Sequence, residues 1–267
     1  MNNYKIVFSD VDGTLLNTDH KVTKLTNNAI KSLQEKNIPF VIVSARSPSG
    51  IYSIMNENNF TGPIIAYSGA LILDENKKVL YTNGLSKKET LNIIHYAEQK
   101  KLDVHWCAYS LDDWIVKDKS SPRVKMEESI VKAQSKQIPL ETFDDSRTFN
   151  KIMFICNEDE IASIEQQMKE AFPEYSIVKS SRLMLEIMKK GINKGTAVKN
   201  LCQIWNVTPE KTIAFGDNFN DMQMLKTVGL GFLMDNAPTV LKKEIPNITS
   251  DNNHDGIYNA LSKLKVI

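Results

Sequence analysis

The chain has 267 residues, 42% hydrophobic and 24% charged, and its 33 Lys and Arg against 32 Asp and Glu give a formal net charge of +1. This is the profile of a globular protein with one large or two modest domains, and it leaves no electrostatic footprint for nucleic acid or an anionic membrane surface. Cys107, Cys156 and Cys202 form no C-x-x-C pair and the four histidines show no ligand spacing. Neither a zinc site nor a disulfide framework is therefore expected, and a reducing cytoplasm is. No apolar run approaches the ~20 residues that span a bilayer, and no secretory h-region stands at the start.

Residues 4–9 are apolar and β-rich. "TKLTNNAIKSLQEKN" puts Leu25, Ala29, Ile30 and Leu33 on one helical face, and "IPFVIVS" (38–44) reads as a second buried strand. A polar, partly helical segment leads to "PIIAY" (63–67). The alternation predicts a doubly wound parallel sheet of the α/β class. After Ser68 the pattern changes: "ALILDENKKVLYTN" reads as a hairpin around Asp74–Lys77. Ser86 and Glu89 have capping-box spacing ahead of a helix. Strand-like "DVHWCAY" and "DWIVKD", an amphipathic helix near 122–136, the strand "FNKIMFIC", a helix bearing Ile161, Ile164 and Met168, and the strands "YSIVKS" and "LMLEIM" follow. This mixture predicts an α+β domain over 84–187, inserted into a core made of 1–83 and 188–267. The α/β rhythm returns with a helix over 194–206, the strand "TIAFG" (212–216), a helix after Asn220, the strand "LGFLM" and the helix "GIYNALSKL".

Four short stretches carry candidate chemistry. In "FSDVDGTL" a buried strand runs into Asp10 and Asp12, two apart, at the edge where open α/β sheets bind ligands. Close carboxylates repel unless a cation or a shared proton neutralises them, and Mg²⁺ suits oxygen donors. One carboxylate could attack an electrophile while the other serves as acid and then base. A calcium loop would need an acidic residue at its twelfth position, which counted from Asp10 is Lys21. In "VIVSARS", Ser44 ends the second strand and could hold an anion with the following N–H groups, or be a turn residue. In "GINKGTAVKNL", Lys194 starts a helix, where the dipole disfavours a cation; a bound anion would compensate it, and a solvated lysine is the plainer alternative. In "IAFGDNFNDMQML", Asp217 ends a strand as Asp10 does, Gly216 allows a sharp exit, and Asn220 and Asp221 open the next helix. Asn220 could cap that helix, touch a phosphate oxygen, or both. Glycine-rich nucleotide loops and a G-x-S-x-G elbow are missing.

Together "FSDVDGTL", "SAR", "NKGTAV" and "GDNFND", in this order and with a domain-sized insertion between the second and third, resemble the haloacid dehalogenase superfamily and its Cof-type phosphatases. The resemblance implies a Mg²⁺-dependent phosphomonoesterase acting on a small phosphorylated metabolite such as a sugar phosphate, with no nucleic-acid or membrane partner. It implies Asp10 as the nucleophile that forms an aspartyl-phosphate and Asp12 as the acid/base. Ser44, the Ala45 N–H, Lys194 and Asn220 would hold phosphate. Asp10, Asp217 and the Asp12 backbone carbonyl would hold Mg²⁺, supported by Asp221, and the insertion would be the substrate-selecting cap. Three positions depart from the family pattern: Ala45 for glycine, Ser68 for asparagine, and Asp235 for glycine in "LMDNA", the last expected near the crevice mouth. A phosphomutase or phosphotransferase of the same fold, or a non-catalytic phosphometabolite sensor, would share these motifs. Tyr109, Trp106 and Trp114 could stack on a substrate ring or belong to the core, Arg182 and Glu186 read as exposed charges, and the sequence is silent on oligomeric state.

Overall fold

The computed structural model describes residues 4–131 and 133–267. In chain order, β1 (Ile6–Ser9), α1 (Lys24–Glu35), β2 (Phe40–Val43), α2 (Pro48–Glu57) and β3 (Ile64–Ala66) alternate, and β4 (Leu71–Leu73) and β5 (Val79–Thr82) follow. Then come β6 (Leu85–Ser86), α3 (Lys87–Gln99), β7 (His105–Ser110), β8 (Asp113–Val116), α4 (Pro122–Val131) and β9 (Lys136–Gln137). Next are β10 (Thr148–Phe149), β11 (Lys151–Ile155), α5 (Ile161–Ala171), β12 (Tyr175–Lys179) and β13 (Met184–Lys189). The chain closes with α6 (Lys194–Ile204), β14 (Thr212–Gly216), α7 (Met222–Thr227), β15 (Leu230–Met234), β16 (Ile248–Thr249) and α8 (Gly256–Lys263). Two compact units result: the segment ending at Tyr81 joins Asn193–Ile267, and Thr82–Ile192 forms the other.

The first unit is an eight-stranded sheet in the order β16-β15-β14-β1-β2-β3-β4-β5. From β16 to β3 the neighbours run parallel, while β4 adds antiparallel to β3. The continuous apolar runs are explained by coverage on both faces. Ile6 and Phe8 pack with Val198 and Leu201 of α6 and Met224 and Leu225 of α7, while Val7, pointing the other way, is also fully buried. The central strand β1 leads to β2 on one side and takes the late strand β14 on the other. The strand order therefore reverses at its carboxyl end, which is where an open α/β sheet leaves a crevice.

The second unit has a six-stranded sheet in the order β12-β13-β11-β7-β8-β9 and a small β10-β6 pair. Trp106, Ala108, Ile152, Phe154, Leu185 and Ile187 on one face pack against Ile93, Ile94 and Ala97 of α3 and Ile161, Ile164 and Met168 of α5. Trp106 is thus a core residue. Register places Tyr109, Trp114, Lys151 and Glu186 on the opposite face. Tyr109 stacks on Trp114 with centroids 6.0 Å apart, and Lys151 lies over the Tyr109 ring and pairs with Glu186 at 3.0 Å. The expectation of an exposed Glu186 is overturned: its side chain is 16% exposed, because Lys151 offsets the cost of covering its charge. Arg182, 84% exposed, is the solvated charge expected. The Ser86–Glu89 capping box forms as predicted.

One helix is shorter than expected. Of the helix predicted over 122–136, α4 covers Pro122–Val131, residue 132 lies outside the described residues, and Lys136 and Gln137 form β9 beside β8. Ser135 donates its N–H and its hydroxyl to Glu128 Oε1, folding the chain back on the helix it has just left. Among the described residues no helix is long and apolar enough to cross a membrane.

Candidate active site

The site grows from the carboxyl ends of β1 and β14. Asp10 leaves β1 with its N–H bonded to the Phe215 carbonyl, which fixes it beside the last turn of β14. Asp217 follows β14 directly, and Asp221 lies one turn on. Among the described residues these three carboxylates form the one acidic cluster whose ligand atoms all lie within 4.8 Å of one another.

Lys194, the first residue of α6, is 1% exposed, and its Nζ donates to Asp10 Oδ1 at 2.5 Å and to Asp221 Oδ1 at 2.6 Å. The anions that compensate a cation at this helix start are the chain's own carboxylates. Asp221 is fully engaged, since its Oδ2 accepts the N–H groups of Asp217 and Asn218, both at 3.0 Å. It is thereby placed to orient Lys194 and the loop. Gly216 has no positive φ; a Cβ there would fall 2.4 Å from the Asp221 Cβ, so close approach, and not a sharp exit, requires the glycine.

Burial raises the Asp10 carboxyl to about 7, with repulsion from Asp221 adding to it and Lys194 opposing it. Asp217 rises to about 6, chiefly by burial, although the Thr14 hydroxyl bond draws it down. Burial disfavours the Lys194 ammonium, but Asp10 and Asp221 outweigh that and raise it. Two of the three carboxylates bond the one ammonium and Asp217 bonds none, so the three are short of positive charge.

Asp217 is held on every side. Thr14 Oγ1 donates to its Oδ1 at 2.8 Å, and Asn236 Nδ2 lies 3.5 Å from its Oδ2. Gly13 has φ +85, and a Cβ there would meet Asp217 Oδ2 at 2.4 Å, so both backbone and space demand glycine.

Asp12 stands apart from the acidic cluster. Its side chain is 54% exposed, and Arg46 grips both oxygens, Nε to Oδ2 at 3.0 Å and Nη2 to Oδ1 at 2.6 Å. Ser44 is buried at the end of β2, and its Oγ accepts the Arg46 N–H at 3.2 Å. Ser44 also accepts, through its carbonyl, the N–H of Ser68, which with Tyr67 adopts a left-handed backbone at φ 55 and 51. Ala45 sits half-buried between Ser44 and Arg46. Asn220 is exposed. The side-chain cap comes one turn earlier, where Asn218 Oδ1 accepts the Phe219 N–H at 2.8 Å and caps the 3-10 turn Phe219–Asp221 that leads into α7. Asp235 is tied to Lys242 through its carboxylate at 2.5 Å and its carbonyl at 2.6 Å, so its added charge is already paired. The neighbouring Asn236 is what reaches the site.

Sequence reasoning did not find Thr14, Arg46 or Asn236. Thr14 and Arg46 lay inside quoted motifs, but their partners are 203 and 34 positions away. Asn236 had no local signal.

Comparison with known proteins agrees with the geometry. The family model for haloacid dehalogenase-like hydrolases matches residues 7–261. A Haemophilus influenzae protein provisionally named a phosphatase is 40% identical over 257 residues, 95% of each chain. A Yersinia pseudotuberculosis protein named HMP-PP phosphatase is 27% identical, over 92% of this chain and 89% of its own. The crystal structure of a haloacid dehalogenase-like hydrolase from Bacteroides thetaiotaomicron superposes with a TM-score of 0.86 at 26% identity, covering 98% of this chain and 99% of that one. With the parallel sheet, the site at its reversal point and a match over nearly the whole length, the chain belongs to the haloacid dehalogenase-like hydrolase family.

Proposed function

We propose that the protein is a Mg²⁺-dependent phosphomonoesterase that hydrolyses a small phosphorylated metabolite in the cytoplasm through an aspartyl-phosphate on Asp10. The observation that carries this reading is the buried Asp10 carboxylate, held by Lys194 beside Asp217 and short of positive charge. Mg²⁺ fits the donor set, because hard carboxylate oxygens remain on Asp10 and Asp217 after Lys194 and Thr14 have taken their share. Asp10, Asp217 and the Asp12 backbone carbonyl would hold it. When bound, the cation supplies positive charge that returns Asp10 to its nucleophilic, ionised form and offsets the charge of a phosphate dianion.

The chain's own groups do the rest. Lys194 keeps one Asp10 oxygen fixed and lends charge to the incoming phosphate, while the Ser44 hydroxyl, the Ala45 N–H and the exposed Asn220 side chain offer donors to its oxygens. The Asp10 oxygen attacks phosphorus, the bond to the leaving oxygen breaks, and Asp12 delivers a proton to that oxygen. Asp12 then takes a proton from the water that cleaves the aspartyl-phosphate. For either transfer its pair with Arg46 must open. The unit of residues 82–192 serves as the cap that decides which leaving group is accepted, and sugar phosphates are the favoured class.

Phosphate release from a panel of sugar phosphates, nucleotides and HMP-PP, with Mg²⁺ and with EDTA, beside Asp10→Asn, tests this reading. Turnover that requires Mg²⁺ and disappears in the variant is expected. Turnover that survives Asp10→Asn would overturn the nucleophile assignment, and binding without turnover would turn the reading toward a sensor.

A further inference from the structure

Two asparagines, Asn236 just after β15 and Asn252 just after β16, converge on the turn following β1. Asn236 Nδ2 donates to the Gly13 carbonyl at 2.9 Å and lies 3.5 Å from Asp217 Oδ2, while Asn236 Oδ1 accepts the Asn252 N–H at 3.2 Å. The 8% exposed Asn252 in turn donates its Nδ2 to the Leu16 carbonyl at 2.8 Å. The amide orientation of Asn236 is dictated by this set. Its oxygen has an N–H to accept, and its two N–H groups have two acceptors; the flipped amide would set an oxygen against a carbonyl and a carboxylate. An exposed asparagine would ordinarily wander among rotamers at little cost. This one is fixed by the backbone of Asn252, and its donors aim at the Gly13 carbonyl, one peptide beyond Asp12, and at one oxygen of Asp217.

We propose that Asn236 is a positioning residue for the cation site. It pins the Gly13 carbonyl and the Asp217 carboxylate to one another, so that the turn carrying the Asp12 carbonyl and the oxygens of Asp217 arrive already arranged. The inference rests on the cation reading given above. Thr14 completes the arrangement by holding the other Asp217 oxygen, and Gly13 makes room for it. Without Asn236, Oδ2 of Asp217 loses this donor, and the turn loses its tie to the segment after β15. Partners that orient ligating carboxylates commonly contribute ten- to a hundred-fold to metal affinity.

The test is calorimetric titration of the intact protein with MgCl₂, without substrate, for wild type, Asn236→Ala and Asn236→Ser, together with melting curves in EDTA. The expected result is Mg²⁺ binding at least about tenfold weaker in both variants, with melting temperatures in EDTA close to wild type. Both side chains are too short to bridge Gly13 and Asp217, so agreement between them separates reach from an accident of one substitution. Affinity within twofold of wild type in both variants overturns this inference and leaves the cation reading standing. A wild type that binds no Mg²⁺ overturns the cation reading itself, and this inference with it. A variant whose EDTA melting temperature falls as far as its affinity also overturns it, since Asn236 would then be holding the fold.

Discussion

Replacing Asp10 by Asn should stabilise the metal-free protein, and by more as pH rises from 3.8 to about 7. Asn has the shape of Asp and can still accept the Lys194 hydrogen bond, but it carries no charge into a site where burial and Asp221 raise the wild-type carboxyl to about 7 from 3.8. A carboxyl raised on folding gives stability that is fully present below its unfolded value and is lost as pH rises through its folded value. For Asp10 that window runs from 3.8 to about 7, and by pH 8 the native state carries the whole penalty, on the order of 4 kcal/mol. Rearrangement of Lys194 and water entry will absorb part of this, so a gain of about 2 kcal/mol is expected at pH 8, or roughly 4–8 °C for a chain of this size. At pH 5, about a third of the way through that window, the advantage of the Asn variant should shrink to about a third of its pH 8 value. Saturating Mg²⁺ should reverse the order at pH 8, because only the wild type retains the Asp10 ligand; a hundredfold excess over Kd adds about 2.7 kcal/mol. The assay is thermal melting of both proteins at pH 5 and pH 8, in EDTA and in MgCl₂. An Asn variant no more stable than wild type at pH 8 in EDTA, or equally favoured at both pH values, would refute the electrostatic reasoning.

Lys194→Met leaves Asp10 and Asp221 buried without their ammonium, which should cost about 3–5 kcal/mol, or roughly 6–20 °C in EDTA at pH 8; the deficit should shrink at pH 5, where the raised Asp10 carboxyl takes up a proton. Gly13→Ala puts a methyl group into the Asp217 carboxylate at a backbone φ of +85, so it should abolish the rise in melting temperature on adding Mg²⁺. In the other unit, Lys151→Met strands the half-buried Glu186, and a loss of about 1–3 kcal/mol should appear in urea melts with turnover by the remaining folded protein retaining its Mg²⁺ dependence.

What could be read from the sequence followed from local regularities. The runs before Asp10 and Asp217 are apolar on both faces because β1 and β14 are covered on both faces, so the strands and their acidic exits were visible together. Lys194 stood out because its position in the helix is locally unfavourable. The end of α4 was lost for a long-range reason: β9 exists because β8 offers it an edge. The same holds for the details of the site. That Asn218 caps in place of Asn220 is a choice between two equally good capping residues, made by the Asp221 carboxylate reaching back to the Asn218 N–H. Arg46 on Asp12, Thr14 and Asn236 on Asp217, and Lys151 beneath Glu186 are pairings across the fold, and nothing in the residues flanking them specifies the partner.

The arrangement of the first sheet also sets a timetable. Lys194 and Asp10 are 184 positions apart, yet β1 must lie between β2 and β14 before the two side chains can meet. At about 5–20 residues per second of synthesis, β1 waits on the order of 10–40 s for its second neighbour while one of its edges stands unpaired. The 82–192 unit is contiguous and leaves the ribosome in the interval, free to fold on its own schedule. The buried carboxylates that make the site reactive therefore come together last, and a nascent chain passes most of its synthesis with an apolar strand edge open to neighbours.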